Sequence, residues 1–181
     1  IGLTQSRGKY KNVRAGIELV DELNRHTKYT LTPLRGHWNV DGTNQMFSMI
    51  AGYPYAVDYS RGIVHYNPGE TSGVDILMKK EADAVLIIGT DLGAHFPHET
   101  VKHLASINTV VIDPFVSLST AIAKLHIPVA AVGIDAEGTA YRLDGVPIHV
   151  KKAFHSDMPS DEVILGRILE EVRKIKAEEA A

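Results

Sequence analysis

Ala84-Val85-Leu86-Ile87-Ile88-Gly89-Thr90-Asp91-Leu92-Gly93-Ala94-His95 is the stretch that decides the fold. Its unbroken apolar run, too short for a helix and opening into small and polar residues at Gly89, reads as a strand buried on both faces. Outward from it the pattern repeats. Residues 74–81 form a short helical turn before it, 98–106 a helix after it, 109–113 a second buried strand, 117–125 a short helix capped by Ser117, and 127–132 a third apolar strand. Alternating strands and helices predict an α/β fold. It is a doubly wound, mostly parallel sheet with right-handed crossovers and helices on both faces, a Rossmann-like arrangement. Residues 146–154 alternate as an outlying strand. Residues 160–176 close the pattern as an amphipathic helix with Asp161 and Glu162 at its positive end and Arg173, Lys174 and Lys176 at its negative one.

Upstream, Val13, Ile17, Val20 and Leu23 recur at helical spacing, predicting an amphipathic helix over 12–26. Tyr, Thr and Leu residues over 27–34 suggest a short strand stopped by Pro33. Residues 35–73 hold six glycines and two prolines and read as one long irregular stretch. A connection of that length is functional or disordered, and its aromatics Trp38, Phe47, Tyr53, Tyr55, Tyr59 and Tyr66 favour order.

The chain has 181 residues, enough for a single domain over 1–181 with a real core. Nineteen basic against 22 acidic residues give a formal net charge of −3, so nothing points to a nucleic-acid partner or an acidic membrane. There is no cysteine, which excludes disulfides, thiolate zinc sites, iron–sulfur clusters and a cysteine nucleophile from this chain. No apolar run is long enough to span a bilayer, and the polar residues 1–11 lack a signal-peptide core, so a cytoplasmic location is expected. A first residue of Ile suggests a piece cut from a longer protein.

In open parallel sheets, ligands bind beyond the carboxyl ends of the strands, where the strand order reverses. Two such ends carry suitable groups. Gly89, Thr90, Asp91 and His95 offer amides and polar side chains to a phosphate or heterocycle, and Asp113 offers a carboxylate to ribose hydroxyls or a base amine. Gly89 and Asp113 equally suit plain tight turns. There is no GxGxxG and no GxxxxGK[ST], so neither a dinucleotide fingerprint nor a Walker loop is present. His95, His98 and His103, and His37 with His65, lack metal-ligand spacing, and no metal site is assigned. Asp135 and Glu137 before Gly138 suit a solvated turn as well as acid–base work, and a GxSxG elbow is absent.

Four ordered motifs carry a resemblance. Pro33-Leu34-Arg35-Gly36-His37-Trp38-Asn39-Val40-Asp41-Gly42 resembles the PLRGxxNVxG loop of molybdopterin enzymes of the formate dehydrogenase type. Residues 52–62 (GYPYAVDYSRG), 66–70 (YNPGE) and 137–148 (EGTAYRLDGVPI) resemble segments of the B subunit of the formylmethanofuran dehydrogenase family, in the same order. The similarity runs from Gly2 to about Lys174.

The resemblance implies an oxidoreductase that interconverts carbon dioxide and the formyl group of formylmethanofuran in methanogenic and related archaea. It implies tungsten or molybdenum held by molybdopterin guanine dinucleotide and by a cysteine or selenocysteine. Arg35 would be the active-site arginine, its planar fork orienting a formate-like anion. Gly36, His37, Asn39 and Gly42 would line the pterins within the 35–73 loop region. Gly89, Thr90, Asp91, His95 and Asp113 would hold guanosine and phosphates, with Glu137, Gly138 and Thr139 near the cofactor. Partners would be the cysteine-bearing part of the B subunit and iron–sulfur subunits. The chain departs from the pattern in lacking the metal-ligating cysteine, in Asp91-Leu92 where the wider family has Asn-Pro, and in Lys124-Leu125-His126 where an acidic residue is usual. It therefore reads as a fragment, inactive by itself. A non-catalytic assembly module, or a B-like subunit of a formyltransferase/hydrolase complex, is the alternative.

Overall fold

A computed structural model describes residues 6–180; residues 1–5, with the start of the polar stretch and of the resemblance, and Ala181 lie outside the described residues. Two compact units divide the chain, Ile1–Pro54 with Thr139–Ile148, and Tyr55–Gly138 with His149–Ala181.

In the first unit, helix α1 (Tyr10–Asn24) carries the predicted apolar spacing, yet none of its residues is buried. The strand expected over 27–34 does not form. Asn24 ties this segment back to the helix instead, donating to Val20 O at 2.7 Å and Tyr29 O at 3.0 Å and accepting from Tyr29 N at 3.1 Å. An extended β-rich segment without a neighbouring strand has no ladder to join. The irregular reading of 35–73 is also corrected, because helix α2 (Val40–Ala51) occupies its first third and ends at left-handed Gly52. Its glycines and prolines made the stretch look broken, but Gly42, within the helix, answers a packing demand. A Cβ there would lie 2.5 Å from Asn39 Oδ1 and 2.8 Å from a Tyr141 ring carbon.

The second unit holds the sheet. Strands β1 (Val57–Asp58) and β2 (His65–Tyr66) make a small antiparallel pair, Val57 opposite Tyr66. Helix α3 (Gly73–Lys79), capped by Ser72, leads into β3 (Ala84–Ile88). Helices α4 (Leu92–His95) and α5 (His98–Ser106) connect it to β4 (Asn108–Ile112), and α6 (Leu118–Ile122) connects β4 to β5 (Leu125–Ile127). All three strands are parallel, in the order β3-β4-β5, with Ile88 beside Ile112 and Ile112 beside Ile127. The chain is thus α/β. The strands run in chain order, so the reversal that marks ligand crevices does not fall within this sheet.

Two details of the strands differ from expectation. β3 is an edge strand of this sheet; Ile87 is 2% exposed while Leu86 is 46% exposed, so it is buried on one face and not on both. β5 begins two residues early and stops at Ile127 because the next residue, Pro128, has no amide to donate. Lys124 N already donates to Thr109 O at 2.9 Å, which ends α6 before the expected 125. Strands β6 (Gly138–Tyr141) and β7 (Pro147–Val150) form a separate two-stranded ribbon, and helix α7 (Asp161–Glu179) closes the chain under its Ser160 cap.

The buried apolar side chains among the described residues, Leu77, Ile87, Leu104, Val111, Ile112, Val129, Ala130 and Ala136, all belong to the second unit. Burial of roughly 25 cal/mol for each Å² of apolar surface therefore stabilises that unit.

Candidate functional site

The first unit gathers Arg35, Gly36, His37, Asn39, Gly42 and Thr139. Arg35 to Trp38 form an exposed loop entering α2. Asn39, in left-handed conformation at φ 53°, turns the chain into the helix. Asparagine tolerates this conformation better than most residues. Its amide donates to Thr139 O at 3.1 Å and accepts from Tyr141 N at 2.8 Å, pinning β6 beside the helix start. Both polar atoms of Asn39 are therefore engaged within the chain. A groove of about 510 Å³ opens here, lined by Asn39, Gly42, Thr43, Met46, Phe47, Thr139 and Tyr141.

Arg35 is held by residues that its motif alone does not reveal. Its Nε pairs with Asp41 Oδ1; the arginine side chain is 39% exposed and that of Asp41 only 10%. The Asn44 amide, oriented by its partners, accepts from Arg35 Nη1 at 2.6 Å and donates to Pro54 O at 3.1 Å. Asp41 Oδ2 is buried with no hydrogen-bond partner among the described residues. Asp41 and Asn44, one helical turn apart, thus make a seat for the guanidinium.

In the second unit the ends of β3 and β4 lie side by side, Gly89 N donating to Ile112 O at 2.9 Å. Gly89 adopts φ 59°, and nothing lies within 4 Å of the position its Cβ would take, so the turn faces open space. Thr90 follows, half-buried. Asp91 points into the protein instead of outward. Its Oδ1 accepts from Ser119 N at 2.9 Å and Ser119 Oγ at 2.8 Å, and Ser119 Oγ in turn accepts from Gly93 N at 2.9 Å. Burial pushes the Asp91 carboxyl up, but the Ser119 hydroxyl, the Ser119 amide and the nearby Leu118 and Ala94 amides outweigh it and hold the group below its ordinary value of 3.8. Gly93 is needed at this crossing, since a Cβ would sit 2.8 Å from Leu118 Cβ. His95 folds back onto Asp91 O through Nδ1 at 2.6 Å.

Asp113 is 8% exposed and its Oδ1 accepts from Phe115 N at 2.8 Å, an Asx turn. His126 Nε2 donates to Asp113 O at 2.9 Å, the carbonyl being able only to accept. Glu137 lies 3.8 Å from His149, both exposed, and Gly138 packs beneath Val132, 3.0 Å from where its Cβ would be. The sequence-predicted residues thus fall into two sets, one in each unit. Asp41, Asn44, Ser119 and Tyr141 were missed. Asp41 lay in plain view inside the arginine motif, whereas nothing about a serine in a short apolar helix signals the Asp91 tie.

No protein-family model matches the chain. Over 179 residues it is 45% identical to the B subunit of tungsten-containing formylmethanofuran dehydrogenase 2 from Methanocaldococcus jannaschii, covering 97% of this chain and 41% of that one. The chain is homologous to part of that subunit. The B subunit of the same name from Methanococcus maripaludis is 43% identical over 178 residues, again 97% of this chain and 41% of the relative. The chain spans about two fifths of the length of these curated relatives. In three dimensions it is similar to a chain of the formyltransferase/hydrolase complex from Methylorubrum extorquens, solved with methylofuran, at TM-score 0.75 and 18% identity. That likeness covers 92% of this chain and 46% of the other, and it shows the fold. The resemblance to the B subunit read from the motifs and the similarity over nearly the whole chain agree.

Proposed function

We propose that this chain is part of the catalytic subunit of a tungsten-containing formylmethanofuran dehydrogenase, which interconverts carbon dioxide and the formyl group of formylmethanofuran. The observation that carries this is 43–45% identity to the B subunit over 97% of the chain.

The donor set here does not suit the metal. The resemblance calls for a cysteine or selenocysteine from the protein as a ligand to the metal, and the chain has no cysteine. Among the described residues no three His, Asp or Glu side chains converge as a metal site either. No step is therefore assigned to a metal held by this chain, and the ligand belongs to a cysteine-bearing portion of the subunit beyond the stretch that this chain matches. The chain's own contribution is the arginine and two surfaces. Arg35 supplies a fixed positive charge that orients a formate-like carboxylate and stabilises it electrostatically. The groove at Asn39, Gly42 and Thr139 would line a pterin, and the open turn at Gly89 and Thr90 would offer its amides to guanosine phosphates. Since Asp91 and the Oδ1 of Asp113 are engaged internally, their part there is to hold the turns. Iron–sulfur subunits would carry the electrons, since this chain has no cysteine to hold a cluster.

The test is the purified native complex containing this chain, incubated with formylmethanofuran and an oxidised low-potential dye. Carbon dioxide release with two electrons per formyl group passed to the dye supports the reading. Release of formate with no dye reduction contradicts it and points to hydrolysis, the chemistry named for the structural neighbour.

A further inference from the structure

We propose that Asp41 and Asn44 are positioning residues for Arg35, and that the charge of Asp41 sets how tightly the arginine holds an anion. The inference rests on the reading of Arg35 as the anion-facing group and adds how the fold controls it. Arg35 sits in an exposed loop, where a long side chain free to rotate would present its fork in many directions. Two residues on one face of α2 remove that freedom. Asp41 takes Nε and Asn44 takes Nη1, while Asn44 is itself fixed by Pro54 O at 3.1 Å. A guanidinium has five N–H groups, so further donors stay available, and 39% exposure keeps them reachable.

The buried side of the pair explains why it holds. Asp41 Oδ2 has no hydrogen-bond partner among the described residues, and Arg35 supplies the counter-charge on the carboxylate's other oxygen. Swinging Arg35 away would strand a charge that is nine-tenths buried, and that strongly disfavours the movement. Pairing has a second consequence. A guanidinium half-neutralised by Asp41 attracts a second carboxylate less strongly than a bare one, so the charge of Asp41 limits how tightly an anion is held at this site.

The experiment uses the intact complex, with sodium formate as the binding probe and formylmethanofuran as substrate. Asp41→Asn keeps an acceptor for Nε and removes the charge, so formate dissociation constants should fall roughly 3–10-fold. Asp41→Ala removes acceptor and charge, and kcat should fall roughly 10–100-fold as the fork loses its aim. Asn44→Ala should lower kcat in the same direction, by about 3–10-fold, without tightening formate. A merely structural aspartate would not tighten anion binding when neutralised. Unchanged formate affinity in Asp41→Asn, or kcat within about twofold of wild type in Asp41→Ala, overturns the proposal. If Asp41→Ala does not assemble, Asp41→Asn and Asn44→Ala decide the matter. If the wild-type complex fails to oxidise formylmethanofuran, the functional reading falls, and the formate titrations of wild type and Asp41→Asn still decide this inference.

Discussion

Replacing Ser119 by Ala should be among the most damaging single-atom deletions in the second unit. Ser119 is fully buried, and its one oxygen makes two bonds, donating to Asp91 Oδ1 at 2.8 Å and accepting from Gly93 N at 2.9 Å. A hydrogen bond to a charged acceptor contributes about 1.5–3 kcal/mol, and leaving the Gly93 amide unsatisfied adds about 1–3 kcal/mol. Relief from burying the hydroxyl offsets part of this, so a net loss of about 2–4 kcal/mol is expected. At about 2–4 °C per kcal/mol for a chain of this size, the melting temperature should drop by roughly 4–16 °C. The assay is urea and thermal unfolding followed by far-UV circular dichroism, with Ser117→Ala as the reference. That change removes only a helix cap and should cost about 1 kcal/mol. The pH dependence gives a second check with a definite sign. The Asp91 carboxyl is held below its ordinary 3.8, so its contribution is fully present above that value and is lost as pH falls through the lowered one. The Ser119→Ala deficit should therefore be largest near neutrality and shrink below about pH 4. A deficit under about 0.5 kcal/mol, or one that does not change with pH, would refute the argument.

Gly42→Ala should destabilise the first unit by about 1–4 kcal/mol, because the gain in helix propensity is outweighed by the clash with Asn39 and Tyr141 and the loss of Asn39's two bonds. Trp38 is the single tryptophan and lies beside Asn39, so its fluorescence during urea unfolding reports the change; a more stable variant would show that no close approach exists. Gly93→Ala forces Leu118 and Ser119 away from α4 and should lower stability by about 1–3 kcal/mol, with protection of the Gly89–His95 amides in hydrogen exchange falling alongside. Asp113→Ala frees the Phe115 amide and should lower the melting temperature by roughly 2–6 °C, whereas an unchanged value would mean the Asx turn contributes nothing.

The parts of the fold legible in the sequence are those where one local signal acts alone. Residues 98–106 read as a helix and are one, and the apolar runs of β3 and β4 leave no alternative to strands. What was misread depended on distant partners. Residues 27–34 have strand composition and no strand to pair with, and Gly42 reads as a breaker until Tyr141, far along the chain, is seen to require it. Pro128 is a local signal that went unused, and it sets the end of β5. The site divides in the same way. Arg35 stands in a contiguous motif that can be read locally, whereas the ties of Asp91 to Ser119 and Asn39 to Tyr141 each join residues many positions apart and leave no local signal.

As proposed above, this chain would belong to the cofactor-holding subunit of a tungsten formyl-group oxidoreductase. Metal and pterin analysis of the native complex isolated through this chain tests it most directly. Tungsten in stoichiometric proportion to the chain, together with a molybdopterin guanine dinucleotide released on denaturation, is the expected result. A complex that contains the chain and a full complement of partners but neither tungsten, molybdenum nor pterin would contradict it.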